Sequence, residues 1–166
     1  FYNDDATNIR NIAAAGGGGL RDIGIYAFGS TRFVTRQEPR VITHAKAAYE
    51  NGVDVFAQVA AEFDDFDFSA TISMRMFPRQ EVVINGEKGV LKLSCPFNPS
   101  VHAQAELHLE TDTHTITTQR FPSINHYVMQ VEAFGRSVTD GSPYACPLEF
   151  SKGTQQMIDM VFAELT

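Results

Sequence analysis

Two neighbouring stretches alternate apolar and polar residues with period two, and that repeat places strands rather than helices in the middle of this chain. In residues 54–63 the apolar positions are Val55, Ala57, Val59, Ala61 and Phe63, with Asp54, Gln58 and Glu62 between them. In residues 68–76, Phe68, Ala70, Ile72, Met74 and Met76 share one face, while Ser69, Thr71, Ser73 and Arg75 share the other with Asp67. Successive strand side chains point to opposite faces, so each stretch reads as a strand buried on one side. The short acidic turn between them predicts an antiparallel hairpin.

The same reading predicts strands at 41–49, 81–84, 90–93, 101–109 and 113–119, with turns at Asn51-Gly52 and at Asn85-Gly86-Glu87-Lys88-Gly89. An antiparallel meander is the simplest way to join them. Leu20, Ile23, Ala27, Thr31 and Val34 recur at helical spacing, which predicts a helix over 20–35 that ends near Gln37 before Pro39. Two further helices are expected, at 126–139 behind Ser123 and Asn125 and at 147–165 with Pro147 in the first turn, each with one apolar face. The expected class is α+β: one domain over 1–166, with an open-faced, predominantly antiparallel sheet and helices packed on one face. The uncovered face serves equally well as plain solvent surface or as the contact of a homo-oligomer.

Composition narrows the partners. A net charge of -7 without clustered Lys or Arg disfavours nucleic acid and anionic membrane. No apolar run is long enough to span a bilayer, so a soluble protein is expected. The chain starts at Phe1 in a polar stretch with no signal-peptide pattern, as a piece excised from something longer would. Cys95 and Cys146 fit neither a CxxC redox pair nor a zinc site and read as reduced residues of a cytoplasmic protein, although spacing alone leaves a disulfide open.

Chemistry is best sought at 16–26, Gly-Gly-Gly-Gly-Leu-Arg-Asp-Ile-Gly-Ile-Tyr. Glycines allow a tight turn, and the helix behind them would place Asp22 in its first turn and Tyr26 four residues on, on the same face. A carboxylate there can accept a hydrogen bond from a substrate hydroxyl, and a phenol can relay a proton. By spacing alone the plainer reading is the stronger one: a first-turn Asp serves the helix dipole, and a Tyr on an apolar face serves the core. The run matches neither GxGxxG nor GxxxxGK[ST]. His44, His102, His108, His114 and His126 are scattered, and no metal site is expected from them.

Asn8-Ile9-Arg10, Gly16 through Leu20 and Asp22-Ile23-Gly24-Ile25-Tyr26 resemble the Gly-Gly-Gly-x-Leu-x-Asp-x-Gly-x-His/Tyr signature of the glucose-fructose oxidoreductase, inositol dehydrogenase and rhizopine-catabolism (Gfo/Idh/MocA) family. Arg32-Phe33, Glu38-Pro39, the turn at Asn85 and the helix with Tyr127, Glu132 and Phe134 extend the likeness over nearly the whole chain. The resemblance implies a dihydrodipicolinate reductase-like C-terminal domain whose N-terminal Rossmann partner, with the catalytic Lys of a Glu-Lys-Pro motif, is not in this chain. It implies oxidation or reduction of a sugar, polyol or related alcohol with NADP or NAD, the cofactor being bound mainly by that other half, and no metal. Asp22 would orient the reacting hydroxyl, Tyr26 would stand beside it in proton transfer, and Arg10 would line the mouth of the site as a substrate-binding residue. Tyr in place of the commoner His is similar to the xylose dehydrogenase and dihydrodiol dehydrogenase branch.

Beside this dehydrogenase reading stand two others: an inactive family member used for assembly through its open sheet, and a free-standing sugar-binding domain. The fragment alone is expected to be inactive under the first.

Overall fold

The structure is a computed structural model, and it describes residues 1–99, 103–111, 115–122 and 124–165. In chain order its principal elements are α1 (Gly19–Asp22), α2 (Gly24–Thr35), β1 (Val41–Glu50), β2 (Val53–Glu62), β3 (Asp67–Ser73), β4 (Glu81–Gly86), β5 (Gly89–Ser94), β6 (Glu106–Thr111), β7 (Ile116–Arg120), α3 (His126–Asp140) and α4 (Leu148–Glu164). The class is α+β with antiparallel sheets, as expected. The single meander is not found: the strands form a three-stranded sheet, β1-β2-β3, and a four-stranded sheet, β4-β5-β6-β7. Between the two runs lies Met74–Gln80 with Pro78, which has no amide to give to a ladder. Residues group into one unit of Phe1–Phe77 with Cys146–Thr166 and another of Pro78–Ala145.

In the first unit the apolar side of the β2 pattern is realised as read, whereas Met76, expected on the apolar face of the next strand, lies beyond β3 and is exposed. Val55, Ala57, Val59, Ala61 and Phe63 are each under 5% exposed, whereas Gln58 and Glu62 face solvent. The β1–β2 turn uses Asn51 and Gly52 at φ 51° and 79°, the left-handed pair that a two-residue hairpin needs to match strand twist. Helices cover one face only: Leu20 and Phe28 from α1 and α2, and Met157, Ile158 and Val161 from α4, close the core with Ile42 and Ile72. Each such side chain, fully buried, contributes about 1.5–3 kcal/mol.

A polar clamp joins α2 to α4 within this unit. Arg32, 3% exposed, donates from Nε and Nη2 to both oxygens of Glu38 at 2.6 and 2.5 Å. Its Nη1 donates to the Phe150 carbonyl and to Thr154 Oγ1 at 2.7 and 2.6 Å, and the guanidinium lies 4.6 Å from the Phe150 ring centre. Gly153 makes room for it, since a Cβ there would stand 2.1 Å from Nη2. The hydrogen bonds from Arg32 hold the Glu38 carboxyl below its ordinary value despite the opposing effect of burial.

In the second unit β4 to β7 form a meander whose turn at 86–89 follows the Asn-Gly-Glu-Lys-Gly reading. The strand expected at 101–109 begins at Glu106, and that expected at 113–119 begins at Ile116; residues 101, 102, 113 and 114 lie outside the described residues. Asn125 caps α3 by accepting the amides of Tyr127 and Val128, whereas Ser123 lies outside the described residues. The apolar stripe of α3 is not buried: Tyr127, Val131, Phe134 and Val138 are 58–71% exposed. Cys95 is buried, Cys146 is exposed and both are free thiols.

Candidate functional site

The site is assembled by the chain's first twenty-six residues, whose glycine turn packs against the start of β2 at Asp54. Asn8 starts a 3-10 turn at Ile9–Asn11 by accepting the Arg10 amide, and a second turn, Ala13–Ala15, ends at Gly16 with φ 71°. The chain then passes back over the first turn. The amides of Gly17 and Gly18 donate to the carbonyls of Ile12 and Arg10 at 3.1 and 3.0 Å. This approach leaves no room for side chains, because a Cβ on Gly17 would lie 2.5 Å from the Arg10 oxygen.

The glycines therefore lie close against the protein's own atoms. A Cβ on Gly18, whose φ is 124°, would lie 2.1 Å from Asp54 Oδ1. A phosphate cradle needs open backbone amides, and here those of Gly17, Gly18 and Leu20 are all used internally. The run does not fit the phosphates of a nicotinamide nucleotide.

The structure brings two of the three expected site residues together. Arg10 Nε donates to Asp22 Oδ2 at 2.6 Å, with the side chains 38% and 30% exposed, so the pair is reachable from solvent. Arg10, expected to line the mouth of the site, is thus an ion-pair partner of Asp22. Tyr26, 43% exposed, follows one turn later. The single helix expected from residue 20 is two helices. The ladder is interrupted at Ile23 (φ -106°, ψ -32°), and the Tyr26 amide donates to the carbonyl of Ile23, three residues back instead of four. Asp22 closes the four-residue α1 and Tyr26 stands in the first turn of α2, so the shared-face spacing does not run through one continuous helix.

A carboxylate with an exposed edge accepts hydrogen bonds, a guanidinium bound through Nε has further N–H groups to offer, and a phenol can do both. The arrangement can hold a molecule rich in hydroxyl groups. Asp54 was missed by sequence reasoning, which assigned it to the polar side of its strand; it is 2% exposed. Burial raises its carboxyl above the ordinary value, opposed by the amide of Leu20. Of the histidines, His44 lies on the open face of β1, His108 contacts Thr118 and Glu106, and His126 stacks on Tyr127. His102 and His114 lie outside the described residues, among which no three His, Cys, Asp or Glu could hold a metal. No helix among the described residues is long and apolar enough to cross a membrane.

A family model, the GFO/IDH/MocA C-terminal domain, matches residues 1–92. An uncharacterized oxidoreductase of Rhizobium meliloti is 28% identical over 165 residues, covering 96% of this chain and 49% of the relative. The D-xylose 1-dehydrogenase (NADP(+)) 2 of Haloferax volcanii is 28% identical over 160 residues, with the same coverage of 96% and 49%. The chain thus spans about half the length of the curated relatives it matches. Among solved structures, the aldose-aldose oxidoreductase from Caulobacter crescentus complexed with glycerol has a TM-score of 0.84 at 18% identity, over 99% of this chain and 50% of that one. A 3-ketoreductase from Actinomadura kijaniata, complexed with NADP and TDP-benzene, has a TM-score of 0.81 at 21% identity, over 99% and 51%. At these identities the likeness establishes the fold.

Proposed function

Since the chain belongs to the GFO/IDH/MocA C-terminal-domain family, we propose that it is the substrate-side half of an NADP- or NAD-dependent oxidoreductase acting on a sugar or polyol. The observation that carries this reading is the Arg10–Asp22 pair at the end of the glycine turn, solvent-reachable and followed by a half-exposed Tyr26. The nicotinamide exchanges the hydride with substrate and is held outside these residues. Within them, Asp22 accepts the hydrogen bond of the reacting hydroxyl and so fixes its direction, and the Tyr26 hydroxyl relays its proton. Arg10 pairs with Asp22 through Nε and turns its remaining N–H groups to substrate oxygens. The relatives that carry NADP in their names favour NADP slightly, and the xylose and aldose enzymes favour an aldose.

Two further parts belong to the proposal. The uncovered face of β1–β3, with His44, Gln58, Ser69 and Thr71, supports a homo-oligomer built through that sheet. Free Cys95 and Cys146 support a reducing, cytoplasmic setting.

The test is nicotinamide reduction by the full-length protein over a panel of sugars and polyols, with NAD and NADP. Asp22→Asn and Tyr26→Phe should each lower kcat/KM by about 10²- to 10⁴-fold, the usual worth of a positioned acid or base, with the fold intact by circular dichroism. Full activity in both variants would remove the site assignment.

A further inference from the structure

The buried carboxylate of Asp54 has a task that its strand does not explain. It is the second residue of β2, and its Oδ2 accepts the amide of Leu20 at 2.7 Å across 34 residues of sequence. The opening amides of any helix need acceptors from outside the helix. The residue before α1 is Gly18, which has no side chain to supply one. Asp54 supplies it from another element, and Gly18 and Gly19 are glycines where it does so: Cβ atoms there would stand 2.1 and 3.3 Å from its two oxygens.

The helix held in this way is only four residues long, too short to set its own direction by internal bonding. Its placement is fixed by what grips it. Asp54 grips the start through Leu20, and Arg10 grips the end through Asp22. The Asp22 amide in turn donates to the Gly18 carbonyl at 3.1 Å, so a shift at the contact with Asp54 passes to the Asp22 carboxylate through one helical turn. We propose that Asp54 is a positioning residue for Asp22, setting the angle at which that carboxylate meets the substrate; this rests on the role given to Asp22 above.

The experiment uses the full-length protein at a temperature where every variant is folded by circular dichroism. Asp54→Ala should lower kcat by about 10- to 100-fold, the scale of loss when a reacting geometry slips by an ångström. The KM for the nicotinamide should stay within twofold, and hydrogen exchange at the Leu20 amide should accelerate. Asp54→Asn, which keeps an oxygen for that amide, should recover most of the loss. If Asp54→Ala does not fold, Asp54→Ser, too short to reach the amide, takes its place with the same expected loss. Wild-type kcat in a folded Ala or Ser variant, in a protein where Asp22→Asn is inactive, overturns the positioning role alone. Activity retained in Asp22→Asn overturns the site reading on which it rests.

Discussion

Gly18 shows how little latitude the site leaves a single residue. Its φ of 124° is costly for any L side chain, and its missing Cβ would meet Asp54 Oδ1. Gly18→Ala should therefore destabilise the protein by roughly 2 kcal/mol or more, since strain and collision add, and a urea midpoint will measure it. Gly16→Ala has the same kind of φ, 71°, but open space around it, so it should cost less. Asp22, Tyr26 and Arg10 stand out in the sequence only as parts of a family signature, and the contact between Arg10 and Asp22 is one that spacing could not give. Asp54 was not legible. It sits among the strand's even positions, where period-two reasoning places solvent-facing residues, and only the loop folded over it from 34 residues upstream changes its surroundings.

Among the elements, the clamp between α2 and α4 has parts of unequal worth. Arg32 is buried and makes four hydrogen bonds, whereas Glu38 is 63% exposed and makes two of them. Arg32→Ala should cost about 3–5 kcal/mol in thermal or urea unfolding, because it removes packing and leaves the Phe150 carbonyl and Thr154 hydroxyl without this donor. Glu38→Ala should cost less, about 1–2 kcal/mol, because water can reach the vacated side. Elements with clear periodicity were legible to within a few residues: β1, β2, β3 and α4 follow the apolar pattern directly. The break at Ile23 and the division into two sheets were not. Helical spacing on both sides of Ile23 is nearly continuous, and hydrogen-bond partners of strands are chosen by chain path, about which alternation within a strand says nothing.

For the molecule as a whole, two of its perturbed carboxyls, Glu38 and Asp54, make opposite demands on pH. Glu38 is held below its ordinary 4.5, so the stability it contributes is present above that value and is lost as pH falls through the depressed one. Asp54 is raised above its ordinary 3.8, so its contribution is complete below that value and is lost as pH rises through the raised one. Denaturant titrations from pH 7 to 3 should accordingly diverge. The stability of wild type relative to Glu38→Gln should shrink as the solution is acidified, and that relative to Asp54→Asn should grow. Parallel curves would show that neither group is perturbed by folding.

The first unit is interrupted: the chain leaves it at Phe77 and returns at Cys146. Order of synthesis and order of burial therefore differ. Sixty-eight residues, 78 to 145, must be added before α4 emerges, which at ~5–20 residues per second takes roughly 3–14 s. Throughout that interval Ala57, Val59 and Ala61 of β2 lack the Met157, Ile158 and Val161 that will cover them. The nascent chain thus carries a core only partly closed, by Leu20 and Phe28, for seconds before α4 can complete it, a window in which a holding chaperone would find its substrate.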